Sequence, residues 1–290
     1  MSGMRFFRNK DICVRLEGDS IKGANSFSFD SAYSAPKIEV IGRGSTRQYQ
    51  GKNEAGGSIS ALILDDGSYL HNRFMSASGI ITGGFVGATD NSTPERLTVG
   101  FNFNSGYISN YTLNGGVGSP PSDSIEFVVY GEVSGDNQPI DAQDNIGESG
   151  IKNKSIIIEG LDTLESQFIQ SFTYSISTNW KPSYVMGRHL PIDVSRVEGY
   201  TVSLDLDIIA GTGNKQSVLN DFEETFVSGS SDLEIKFGDC REITGYRMPR
   251  ARIESETLNS SVNGFLEGNI RFQTVINNLE ELLPISSWAI

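Results

Sequence analysis

Ser171-Phe172-Thr173-Tyr174-Ser175-Ile176-Ser177 decides the fold, because Ser26-Phe27-Ser28-Phe29 stands 145 residues earlier in a chain of 290. Phe172, Tyr174 and Ile176 fall on alternate residues. They therefore share one face of a strand, with hydroxyl side chains on the other. Gly42-Arg43 is answered by Gly187-Arg188 at the same offset. A repeat of half the chain predicts a duplicated domain built from alternating strands.

The match extends outward. Val14-Arg15-Leu16-Glu17-Gly18 has its counterpart in Ile156-Ile157-Ile158-Glu159-Gly160, an apolar opening strand. After the aromatic strand comes a Pro/Lys pair, Pro36-Lys37 and Lys181-Pro182, and then 38–43 and 183–188. Polar stretches 44–55 and 189–198 lead into Gly56-Gly57-Ser58-Ile59-Ser60 and Gly199-Tyr200-Thr201-Val202-Ser203. The pattern reads as strand, long polar hairpin, strand, with the Gly-Arg step as a kink at the hairpin's base. Ser68-Tyr69-Leu70 and Ser217-Val218-Leu219 read as N-cap serines opening a short helix. Leu97-Thr98-Val99-Gly100-Phe101 is set against Leu233-Glu234-Ile235-Lys236-Phe237, and Gly106-Tyr107 against Gly245-Tyr246. The last strand is Ile125-Glu126-Phe127-Val128 against Ile270-Arg271-Phe272-Gln273. The expected fold is mainly β: two tandem β-sandwich domains, 1–134 and 155–276, each with one short flanking helix and a long polar hairpin. A polar linker, 135–154, joins them, and 277–290 form a C-terminal extension.

The chain carries a net charge of −13. The first half has 11 Lys+Arg against 16 Asp+Glu and the second 12 against 20, so both copies are acidic. That balance argues against gripping nucleic acid through its phosphates. The 32 glycines fit many turns. Cys13 and Cys240 occupy non-equivalent places, which fits a reducing compartment. No signal peptide and no membrane span are expected.

No catalytic residues, metal site or cofactor are expected. His71 and His189 are the only histidines, without Cys or carboxylate partners at ligand spacing. Asp136, Asn137, Asp141, Asp144 and Glu148 miss the calcium-loop order, and Gly115-Gly116-Val117-Gly118 lacks the Lys-Ser/Thr of a phosphate loop. No Gly-x-Ser-x-Gly elbow is present.

The second copy is Ser171 to Ser177, Lys181-Pro182, Gly187-Arg188, Pro191-Ile192 and Glu198-Gly199-Tyr200-Thr201-Val202-Ser203. It resembles the tail-tube proteins of contractile-tailed bacteriophages. The first copy is similar, with Pro36 and Lys37 exchanged in order. The resemblance covers about 14–133 and 156–276.

In that family the tube domain is a β-sandwich with a flanking helix. Neighbouring sheets join into a barrel around a lumen, and the long hairpin reaches the adjacent ring. The usual protein has one such domain and forms six-membered rings. Two domains per chain imply a homotrimer with pseudo-sixfold symmetry, stacked into a tube. At about four strands per domain the barrel has about 24. With strands ~4.8 Å apart and tilted ~40°, its circumference is roughly 150 Å. Side chains then leave a lumen on the order of 35–40 Å, wide enough for duplex DNA.

The resemblance implies a structural virion protein of the tail, made in the host cytoplasm and not an enzyme. Its implied partners are itself, sheath and baseplate proteins, and a tape-measure protein and DNA that pass through the lumen without specific binding. Arg43, Arg47, Tyr49, Arg188 and His189, in and beside the hairpins, are the candidate inter-ring or inter-subunit contacts, against ordinary surface side chains. Asp205 and Asp207, in the alternating Leu204-Asp205-Leu206-Asp207, are the candidate lumen-facing acids that repel phosphate, against an ordinary solvated strand face. Two other readings stand beside the tube: a baseplate hub or tube-initiating ring, and a carbohydrate-binding β-sandwich with Trp180 and Trp288 as stacking platforms.

Overall fold

The computed structural model describes residues 12–33, 37–39, 46–48, 53–64, 68–90, 97–136, 155–160, 169–186, 188–210, 231–238, 243–260 and 266–283. The first half holds β1 (Ile12–Leu16), β2 (Asp19–Ser20), β3 (Ala24–Tyr33), β4 (Lys37–Glu39), β5 (Thr46–Gln48) and β6 (Asn53–Leu62). It continues with α1 (Tyr69–Ser76), β7 (Ile80–Asp90), β8 (Leu97–Gly116), β9 (Ser119–Val129) and β10 (Val133–Asp136). The second half holds β11 (Ser155–Glu159), β12 (Ile169–Ser177), β13 (Trp180–Ser183), β14 (Asp193–Arg196) and β15 (Tyr200–Ala210). After these come β16 (Ser231–Gly238), β17 (Ile243–Ser260), β18 (Leu266–Ile276) and a 3-10 turn, Leu279–Leu282. The protein is mainly β, and the described strand pairings are antiparallel.

One strand order occurs twice. In the first half it is β3-β6-β9-β8-β7-β1, and in the second β12-β15-β18-β17-β16-β11. Register agrees with order. The ladder Phe27, Ile59, Ile125, Tyr111 corresponds to Phe172, Leu206, Ile270, Glu256. Three of these four steps are 145 residues apart, and Ile59 to Leu206 is 147. Gly18 and Gly160, which close the opening strands, share φ of +90°, a backbone state that suits glycine.

The ladder corrects three expected equivalences, the first being that Tyr107 answers Arg252 rather than Tyr246. Ile59 answers Leu206 rather than Val202, and the 233–237 segment lies in β16, whose counterpart is β7 rather than the start of β8. A slide by an even number of residues keeps every side chain on its face and so is invisible to pattern, and the exchange of β7 for β8 is hidden because the two segments share one alternation. The Gly-Arg step is corrected too. Arg188 lies between β13 and β14, at the tip of that hairpin and not at its base, while Gly42, Arg43 and Gly187 lie outside the described residues. β10 pairs with Gly100 to Phe103 of β8 as far as Asp136, inside the segment expected to begin the linker. The rest of that segment, and the helix expected near 217–229, lie outside the described residues.

α1 begins where Ser68 Oγ accepts the His71 N–H at 2.9 Å, an N-cap. Leu70 and Phe74 turn its apolar stripe inward. In the 3-10 turn, Asn278 and Glu281 form a capping box over buried Leu279 and Leu282.

The halves share one sheet. The 20 residues of β8 take β7 as neighbour along Leu97 to Tyr107, then β12 along Asn110 to Gly116. The exchange happens at Ile108 and Ser109: Ile108 N–H donates to Gly79 O at 2.7 Å, and Thr178 N–H to Ser109 O at 2.9 Å. The Ile108 N–H and the Ser109 carbonyl thus both keep partners across the exchange. A run of eight strands results: β3-β6-β9-β8-β12-β15-β18-β17. β3 also packs near β1 and β7, and Phe29 stacks on Phe101 and Phe103 with ring centroids 5.1 and 5.8 Å apart. The first-half sheet therefore folds back over its own core.

Candidate assembly surface

The eight-strand run has two unlike faces. On the core face a row passes from Phe27 through Ile59, Ile125, Tyr111 and Ile176 to Val202. On the other face Ser26, Ser60, Ser124, Thr112, Ser175, Ser203, Gln273 and Arg252 lie side by side, crossing both halves. Short hydroxyl side chains keep this face smooth, and cross-strand pairs such as Ser28–Ser58 (2.8 Å) and Ser175–Ser203 (2.7 Å) link its hydroxyls.

Asp205 and Asp207 stand on that polar face, while Leu204 and Leu206 are fully buried beneath. Asp205 sits between Thr173 and Arg271 in register. The Arg271 guanidinium also pairs with Glu254 at 2.8 Å. Partial burial raises the Asp205 carboxyl above the ordinary range; Arg271 opposes this, and the charges of Asp207 and Glu254 add to it. Asp207 accepts from Asn269 at 2.9 Å and from Ser171.

The joint between halves is sealed by aromatic side chains. Trp180 donates its indole N–H to Ile108 O at 2.8 Å, at the point where β8 changes neighbour. Its ring lies against Tyr107, and Tyr107 against Tyr130. Tyr200 OH donates to Ser78 O at 3.2 Å and its ring meets Phe74 edge-on. His71 of α1 is enclosed by Tyr111 and Tyr246, and loss of hydration lowers its pKa to about 4.

Asp123 interrupts the apolar row Ala61–Asp123–Leu113–Tyr174–Leu204 and is 1% exposed. Ser68 donates to its carboxyl, and Tyr111 OH lies 3.5 Å away. Burial raises its pKa to about 6, with the hydrogen bonds from Ser68, the His71 backbone and Tyr111 holding it down. The counterpart of Asp123 is Gly268, so this buried acid belongs to one half only.

The run ends in two edges. Among the described residues β3 pairs with β6 alone, and Arg252 to Ser260 of β17 pair with β18 alone. These are the counterparts of β12 and of the β8 stretch that meet at the joint. Beside the β17 edge lies a cleft of about 390 Å³ lined by residues including Arg252, Ile253 and Val275. In the 145-residue offset these match Tyr107, Ile108 and Tyr130, the surroundings of Trp180.

The candidate contact residues fall elsewhere. Arg188 and His189 are exposed at the tip of the β13–β14 hairpin, beside exposed Val185 and Met186. Arg47 lies in β5 opposite Ile38, and Arg43 and Tyr49 lie outside the described residues. The structure thus brings Asp205 and Asp207 together on the sheet face and keeps Arg188 and His189 apart from them. Sequence reading passed over Trp180 as a joint residue, and passed over Asp123, Arg271 and the edge residues Ser31 and Glu256. Applying the 145-residue offset to Tyr111 and Ile176 points to the last pair. Among the described residues no group of three His, Cys, Asp or Glu could hold a metal ion, and no helix is long and apolar enough to cross a membrane.

No known family model matches the chain, and no curated protein matches it in sequence.

Proposed function

We propose that the chain is a subunit of a tail tube of the contractile-tailed phage type, a structural virion protein whose two halves occupy neighbouring stations of one ring. The observation that carries the reading is the β8–β12 pairing. It is a finished side-by-side joint between two copies of one unit, and among the described residues the counterpart edges have no further strand beside them. A heterologous contact that repeats around an axis closes into a ring and removes both edges.

Eight strands per chain give 24 in a trimer, the number that leaves a duplex-sized lumen. The hydroxyl-rich face with Asp205 and Asp207 then lines the lumen, where its acids keep phosphate from adhering. The hairpins, with Arg188 and His189 at a tip, face the next ring. Sheath and baseplate proteins meet the assembly from outside, and tape-measure protein and DNA pass within. Sedimentation velocity on the purified chain tests the ring: a concentration-dependent species of three times 31.6 kDa is expected, and a lone monomer at every concentration refutes it.

A further inference from the structure

The two joints of such a ring share a geometry but not a chemistry, and the difference can be read position by position. At the joint within the chain, Tyr111 is opposite Ile176, Leu113 opposite Tyr174 and Thr112 opposite Ser175. Shifting each β8 residue forward and each β12 residue back by 145 gives the joint between chains: Glu256 opposite Ser31, Leu258 opposite Phe29 and Thr257 opposite Asp30. The shift is anchored on both sides. Ile270 is beside Glu256 as Ile125 is beside Tyr111, and Phe27 is joined to Ile59 as Phe172 is to Leu206.

Ser31 is the telling residue. It follows Phe27 and Phe29 on the core face of β3, where its counterpart is the fully buried Ile176. Its Oγ is shielded from solvent and has no hydrogen-bond partner among the described residues. A buried hydroxyl without a partner is costly, so such groups are satisfied in the finished assembly. The side chain that the register brings opposite is a carboxylate, an acceptor for that hydroxyl.

We propose that β3 of one copy adds to β17 of a second in the β8–β12 register, and that Ser31 donating to Glu256 keys this joint. The proposal rests on the ring reading above and adds its register and its polar key. A second observation runs the same way. The cleft at Arg252, Ile253 and Val275 is the place that Trp180 fills at the inner joint. The inner joint is sealed by Tyr107, Tyr130 and Trp180; the outer one presents Arg250, Arg252 and Glu254. The inner joint forms with the fold, and the outer joint forms between soluble copies whose open edge stays polar. A keyed polar pair selects register where apolar contacts alone would permit slips.

Cysteine cross-linking of the full chain tests the register. Because Thr178 N–H donates to Ser109 O, ladder positions alternate and Thr112–Ser175 is a non-hydrogen-bonded pair. Such pairs have Cα atoms about 4.5 Å apart, within reach of a disulfide. Asp30→Cys with Thr257→Cys should therefore give covalent dimers and trimers on mild oxidation. Each single variant, which controls for the two natural cysteines, should not, and the shifted pair Asp30→Cys with Asn259→Cys should link poorly. If rings form but the shifted pair links better, or neither links, the register is overturned and the ring survives. If the native chain never associates, both fall.

Assembly midpoints test the key. Ser31→Ala and Glu256→Ala should each raise the midpoint concentration about ten-fold, as loss of a hydrogen bond to a charged group does. The double variant should be no worse than either single, and Glu256→Gln, which still accepts, should lie near the native chain. Independent, additive effects would overturn the pairing, with the monomer's melting curve showing that each variant is folded.

Discussion

His71 of α1 meets Tyr246 of β17 edge-on, with ring centroids 4.5 Å apart and planes at 69°. The contact joins the helix of one half to a strand of the other, next to buried Asp123 and Tyr111. Two groups with oppositely directed pH behaviour therefore sit in one joint.

Burial lowers the His71 pKa to about 4, below the unfolded value. The neutral ring is favoured in the fold, so its contribution is complete above pH ~6.5 and is lost as pH falls towards ~4. A shift of this size corresponds to about 3 kcal/mol. His71→Gln should flatten the acid limb of a denaturant-unfolding profile taken from pH 7 to pH 4. An unchanged limb would show that the imidazole is solvated.

Asp123 runs the other way. Its folded pKa, raised to about 6, lies above the unfolded one. Its contribution is complete below pH ~4 and lost as pH rises through ~6. Asp123→Asn should stabilise the protein by about 2–3 kcal/mol at pH 8 and by little at pH 4. Between pH 4 and pH 6 the two groups oppose each other in the native chain, so Asp123→Asn should steepen the acid limb that His71→Gln flattens. An Asp123→Asn variant destabilised equally at every pH would contradict the assignment.

Trp180 tests the inner joint. Trp180→Phe keeps an aromatic ring beside Tyr107 but removes the donor to Ile108 O. It should cost about 1 kcal/mol of unfolding free energy. Trp180→Ala, which also loses the ring packing, should cost about 3 kcal/mol or more. Hydrogen exchange should report the change at the Ile108 and Thr178 amides, and protection unchanged there would mean the indole does not hold the crossing. The same engagement argues against Trp180 as an open sugar-stacking platform.

Asp205 and Asp207 test the polar face. Replacing both by Lys should leave the monomer folded, since both side chains lie outside the core. It should convert the assembly from one that ignores duplex DNA into one that retains it, with affinity falling steeply as salt rises. Unchanged DNA binding by an assembled double variant would place this face away from the conduit.

Much of the fold was legible because strands obey a period of two. Phe27/Phe29 and Phe172/Tyr174/Ile176 showed their inward face without any structure, as did Leu204 and Leu206. The N-cap at Ser68 was legible for a similar reason: a short polar side chain before an apolar turn has one economical use. Which strand answers which was not legible, since Leu97 to Phe101 and Leu233 to Phe237 have the same alternation and belong to non-equivalent strands. Pairing depends on contacts distant in sequence. The hairpin arginines drew attention because charge in a loop is conspicuous. Ser31 and Glu256 did not, because an edge residue looks like any strand residue until its missing neighbour is known. Asp123 was open to reading, as it keeps the inward phase of Ile125 and Phe127, but an aspartate in a polar run reads as solvated.

Cryo-electron microscopy of the purified full-length chain, imaged over rising concentration, tests the central claim most directly. Rings or stacked tubes should appear in which three copies close a barrel of 24 strands, with β3 of each copy beside β17 of the next and the hydroxyl face turned inward. Isolated particles of single-chain size at every concentration, or rings in which β3 and β17 remain unpaired, would contradict it.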